Sequence, residues 1–154
     1  MEQRVAIVTG GLRGLGRAMS LGLMHEGCRV AAIGHIADDV PEMERAAAAL
    51  GNTGGALYPL VADLRDKLEC DRVVAATRER FGPIDILVNN AGLTFTYIDP
   101  PRFRRPTMQH FWQVSDEIVE NVMLTNVLAA DRLSRRVAAE STVARLEVIE
   151  MPGL

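Results

Sequence analysis

The sequence predicts an α/β fold: a doubly wound parallel sheet, incomplete, with four strands and a weak fifth, in one domain covering residues 1–154. Three observations carry this. Short apolar runs alternate with segments of helical periodicity, the order of parallel strands joined by crossover helices. The first two runs are continuously apolar, as strands buried on both faces are. The first run, Val5-Ala6-Ile7-Val8, leads directly into Thr9-Gly10-Gly11-Leu12-Arg13-Gly14-Leu15-Gly16. Such a strand–glycine–helix turn suits a nucleotide pyrophosphate, because glycines let the backbone approach the phosphates and the helix N-terminus favours negative charge.

The elements follow in order. Strand 4–9 precedes a helix over 15–26, with Leu15, Ala18, Met19, Gly22 and Leu23 as its inward face and Gly27 as its stop. Gly22 weakens a helix interior, so close packing against the sheet is its expected use. Strand 29–34 follows. Asp38, Asp39 and Pro41 form a helix-start signal for an alanine-rich helix over 43–50, and 51–55 is a turn. Strand 56–62 leads to a helix over 66–81 whose core face is Cys70, Val73, Val74, Thr77 and Phe81. Gly82-Pro83 breaks it before strand 84–88. Residues 93–115 lack periodicity and exceed the usual connection, which points to a lid or binding loop. A helix over 116–140 carries Ile118, Val122, Val127, Ala130, Leu133 and Val137, and 145–150 is faintly strand-like.

Composition narrows the function classes. With 48% hydrophobic and 24% charged residues the chain can bury a real core. A net charge of −3 offers no general attraction to nucleic acid, and the Arg102, Arg104 and Arg105 cluster reads as a solvated loop. No apolar run can span a bilayer, and Val5–Val8 is too short for a signal segment. Two cysteines, Cys28 and Cys70, make neither a disulfide framework nor a zinc site. A cytoplasmic protein with no metal, membrane or nucleic-acid partner is expected.

Several positions carry chemistry. In such a sheet, an acid at the end of the second strand binds the adenosine ribose, and its absence beside a cation tolerates a 2′-phosphate. Gly34 and His35 stand there, no acid occurs before Asp38, and Arg13 lies in the glycine turn. This favours NADP over NAD, unless the register lets Asp38 reach the ribose. Asp63, followed by Leu64, either accepts from an adenine amine or caps the next helix. Asn89-Asn90-Ala91-Gly92 ends the fourth strand. Its small residues leave room for a ring, and its amides can tie strand ends together. Asn126 is a poor residue for a helix interior and needs a hydrogen bond or a water to explain it.

Together these motifs resemble the short-chain dehydrogenase/reductase family, over residue 5 to about residue 137 and in the right order. The glycine turn with Arg13 is most similar to that of the 3-oxoacyl-carrier-protein reductase branch. The resemblance implies a Rossmann-like fold binding NADPH through Thr9, Gly10, Gly11, Leu12, Arg13, Gly14, Leu15, Gly16, His35, Asp63, Leu64, Asn90, Ala91 and Gly92. It also implies hydride exchange with a small carbonyl or alcohol substrate, a supporting catalytic role for Asn126, and a homo-oligomer formed through helix 116–140. The family's catalytic serine, tyrosine and lysine are not matched here. The tyrosines are Tyr58 and Tyr97, the single lysine is Lys67, and no Tyr-x-x-x-Lys occurs. The expectation is a chain truncated before that region, with little turnover of its own. The alternative is a non-catalytic dinucleotide-binding module or a defective form.

Overall fold

The computed structural model describes residues 3–101, 104, 109–140 and 147–150. Expectations resting on Arg102, Arg105 and Arg145 lie outside them. The elements are β1 (Val5–Thr9), α1 (Gly14–His25), β2 (Arg29–Gly34), α2 (Val40–Ala49), β3 (Ala56–Val61), α3 (Lys67–Phe81), β4 (Ile86–Asn89), α4 (Phe95–Ile98), α5 (Asp116–Met123), α6 (Ala129–Glu140) and β5 (Glu147–Glu150). A 3₁₀ turn, Ala37–Asp39, leads into α2, and another, Phe111–Gln113, precedes α5.

All strand pairs are parallel, in the order β3-β2-β1-β4-β5. The chain winds outward from β1 through β2 to β3, then returns to place β4 on the other side of β1. That reversal opens a crevice at the carboxyl ends of β1 and β4. Side-chain alternation assigns each strand residue to a face. Val5, Ile7, Ala31 and Ile33 pack with Val73, Val74, Leu133 and Val137 of α3 and α6. Ala6, Val8 and Val30 pack with Met24 on the opposite face, where Met19 and Leu23 of α1 also lie. Both faces are covered, so the strands read as unbroken apolar runs. The weak fifth strand forms as β5, with Ile86 opposite Glu147 and Asn89 opposite Glu150.

Three local expectations are corrected. The inward face of α1 is Gly16, Ser20 and Met24, flanked by Met19 and Leu23; Leu15 is 52% exposed and Ala18 and Gly22 are exposed. A Cβ at Gly22 would meet nothing within 4 Å, so this glycine serves no close contact. The connection 93–115 contains α4 and a 3₁₀ turn. The helix over 116–140 is interrupted by a π-helical turn, Leu124–Leu128. That turn carries more residues per revolution, and Val127, expected inward, is 48% exposed.

Candidate functional site

A cleft of about 530 Å³ opens over the carboxyl edge of the sheet. One wall is the glycine turn, through Gly10, Leu12, Arg13, Leu15 and Gly16. A second is the end of β2, through Ile33, Gly34 and His35. A third follows β3, through Ala62, Asp63, Leu64 and Arg65. Asn90, Ala91, Gly92 and Leu93 after β4 close the far end, together with Thr94, Tyr97 and Thr125.

The glycine turn is shaped by backbone contact. A Cβ on Gly16 would stand 2.1 Å from the Gly10 carbonyl oxygen, so α1 can begin this close to β1 only with glycine there. Gly14 has φ +53°, the left-handed region that favours glycine, and its Cβ position faces open space. Arg13 occupies the N-cap position of α1 without capping it, and the first turn holds no acid. The leading amides of α1 therefore have no side-chain partner at the cap and are available to an anion. This donor set, beside a glycine with nothing in front of it, fits a dinucleotide pyrophosphate.

Two predicted residues act behind this surface. Thr9 is buried; its hydroxyl donates to the Val88 carbonyl at 3.2 Å and accepts from the amides of Asn90 and Ala91, each at 2.9 Å. Asn90 Nδ2 returns a bond to the Thr9 carbonyl at 2.9 Å. The ends of β1 and β4 are thus bolted together, as the asparagine amides suggested. Gly11 is also buried, packed on Val8, Ser20 and Ala32. Neither lines the cleft; both set its floor. Asn89 ties β4 to α6, Nδ2 donating to Ser134 Oγ at 3.0 Å.

Asp63 does not cap α3. That position belongs to Asp66, whose carboxylate accepts from the Leu68 amide at 2.8 Å. Asp63 instead accepts from Arg65 Nε at 3.0 Å and Nη2 at 2.6 Å. The hydrogen bonds from Arg65 hold its carboxyl below the usual carboxylate range; partial burial opposes this, and the charge of His35 adds to it. Arg65 also donates through Nη1 to Asn121 Oδ1 at 2.8 Å, and Asn121 Nδ2 donates to the Tyr97 hydroxyl at 2.9 Å. A polar chain thereby runs from Asp63 to α5 and α4.

The π turn explains Asn126. Its Oδ1 accepts from the Leu93 amide at 2.7 Å and its Nδ2 donates to the Leu93 carbonyl at 3.0 Å. One side chain thus satisfies both backbone groups of a loop residue at the cleft's end. Asn126 itself is exposed and does not line the cleft, whereas its neighbour Thr125 does.

Asp39 and Arg65 line the cleft without having been expected there. The sequence pattern places Asp39 in the helix-start signal of α2, and it does occupy the N-cap position there. Its side chain makes no cap bond; it pairs with Arg13 Nε at 3.3 Å, and both residues line the cleft. An acid at this helix start, with an arginine in the glycine turn, was the signal available.

The sheet order, the glycine turn at the switch point and the cleft above it define a Rossmann-like α/β protein. The family model described as short chain dehydrogenase matches residues 4–145, and the chain belongs to that family. It is 32% identical over 139 residues to 2,3-dihydro-2,3-dihydroxybenzoate dehydrogenase of Bacillus subtilis (strain 168), covering 90% of this chain and 47% of that protein. Among solved structures, a short-chain dehydrogenase/reductase from Serratia marcescens aligns with a TM-score of 0.78 at 28% identity, over 97% of this chain and 55% of that one. A blue fluorescent protein from a metagenomic library, solved in complex with NADPH, aligns with a TM-score of 0.79 at 25% identity, over 96% and 54%. The chain spans less than half the length of the curated relatives it matches and about half that of these structures.

Proposed function

We propose that the cleft holds NADP(H) and that the chain is the cofactor-binding part of an oxidoreductase acting on a small carbonyl or alcohol. The observation that carries this is the uncapped start of α1 facing the cleft beside Gly14, with Arg13 at its rim. The bound dinucleotide supplies or accepts hydride. The chain's own residues do the holding. The amides of α1 receive the pyrophosphate, Asp63 and Leu64 bracket the adenine, and Ala91 and Gly92 leave space beside β4. Asn126 fixes the Leu93 backbone at the same end.

Arg13 favours NADP, since its guanidinium can pair with a 2′-phosphate and His35 supplies no competing carboxylate. The NADPH-bound structural neighbour and the similarity of the glycine turn to the 3-oxoacyl-carrier-protein reductase branch support the same choice. Val119, Met123 and Val127 are each about half exposed and recur every four residues along α5 and the π turn. This stripe supports a homo-oligomer formed through 116–140. Both cysteines are free and buried, in keeping with a reducing cytoplasm.

Titration of NADPH and NADH fluorescence with the purified chain tests the reading. We expect saturable binding of NADPH. Arg13→Ala should weaken it about tenfold, the size of a partly screened charge-assisted hydrogen bond, with little change for NADH. No binding of either dinucleotide would contradict the proposal. A second reading is a dinucleotide-binding module without turnover. Binding of NADPH without ketone-dependent loss of its absorbance would support it.

A further inference from the structure

Asn89 ends β4 with a buried amide of which the protein uses only one arm. The residue is 7% exposed, and its Nδ2 donates to Ser134 Oγ on α6 at 3.0 Å. Its Oδ1 is fully buried and accepts from no group among the described residues. An amide oxygen left in that condition is costly, and native interiors rarely keep one. Asn89 also lines a second, small cavity of about 10 Å³. This cavity lies where the carboxyl ends of β1 and β4 meet the π turn and α6.

The cavity's lining holds three polar side chains, those of Thr9, Asn89 and Thr125; its other residues are leucine and alanine. The Thr9 hydroxyl is already committed to the Val88 carbonyl and to the amides of Asn90 and Ala91. Asn89 Oδ1 and the Thr125 hydroxyl are the polar side-chain atoms left to the space. We infer that the cavity is a binding site for a single water molecule, which donates to Asn89 Oδ1 and bonds to Thr125 Oγ1. The volume has room for about one water, and two polar partners are enough to hold it. One amide oxygen and one hydroxyl are too few ligands for a hard cation. Both arms of the Asn89 amide then have work: Nδ2 ties β4 to α6 directly, and Oδ1 ties it to the π turn through the water. Leu64, Ala91 and Thr125 line this cavity and the cleft alike, so the water backs the cleft wall whatever the cleft binds.

Water–protein Overhauser contacts and magnetic relaxation dispersion, measured on the full chain, test the inference. We expect contacts from a long-lived water to protons of Thr125 and Ala129. Thr125→Val keeps the shape, removes the hydroxyl and should hold one long-lived water fewer. Ser134→Ala removes the partner of Nδ2 outside the cavity lining and should keep that water. An unchanged count in Thr125→Val, in a chain whose melt is unaltered, overturns the inference. So does loss of the water in Ser134→Ala with its retention in Thr125→Val. Should Thr125→Val fail to fold, the unmodified chain decides, since absence of the Overhauser contacts there overturns the inference by itself.

Discussion

Gly16 and Gly22 share one helix and answer to different constraints. Gly16 is buried where α1 meets the turn, and any Cβ there collides with the Gly10 carbonyl. Gly22 is exposed, with helical neighbours on both sides and open space in front of it. Gly22→Ala should therefore stabilise the protein by about 0.5–1 kcal/mol through helix propensity alone. Gly16→Ala should lower the melting temperature and reshape the cleft floor. Thermal melts followed by circular dichroism decide it; a Gly22→Ala chain that melts lower than the parent would show that this glycine has a packing role after all. The two are alike in residue type and lie six residues apart in one helix. Only the distance to another segment's carbonyl separates them. The same limit hid Asp39, whose residue type and place suit a cap and whose partner lies in a turn far away along the chain.

At the scale of elements, β1, β2 and α3 were nearly complete in the sequence. Their apolar patterns reflect burial on both faces or on one helical stripe, and burial is what composes such patterns. The helix over 116–140 was legible as a helix but not as a broken one. A π turn leaves the residues helical in type, and Asn126 within it bonds to the Leu93 backbone. The odd asparagine was its one visible trace. The same helix carries the exposed stripe Val119, Met123 and Val127. A second copy laid along it would cover apolar surface that water now meets. Met123→Glu puts a charge at its centre and should shift the chain from dimer to monomer in sedimentation equilibrium. A monomeric parent chain would contradict the assignment of this face.

At the scale of the molecule, the strand order turns separate motifs into one site. Thr9 and Asn90 are eighty-one residues apart, and the pairing of β1 with β4 makes them neighbours. The glycine turn, Asp63 and the Asn89-Asn90-Ala91-Gly92 segment could be matched to a cleft from sequence because each ends a strand, and parallel strands present those ends on one edge. The Arg13–Asp39 ion pair and the hydrogen-bonded chain from Arg65 to Tyr97 could not, since they depend on side-chain reach between separate segments. The proposed function requires that this edge receive the pyrophosphate of NADPH at the start of α1. Titration of the isotope-labelled chain with NADPH, followed amide by amide by NMR, tests it most directly. The largest shifts are expected at Gly10, Gly14, Leu15 and Gly16, with smaller ones at Ala91 and Gly92 and none on the outer face of α3. Saturating NADPH that leaves the Gly14–Gly16 amides unmoved would contradict it.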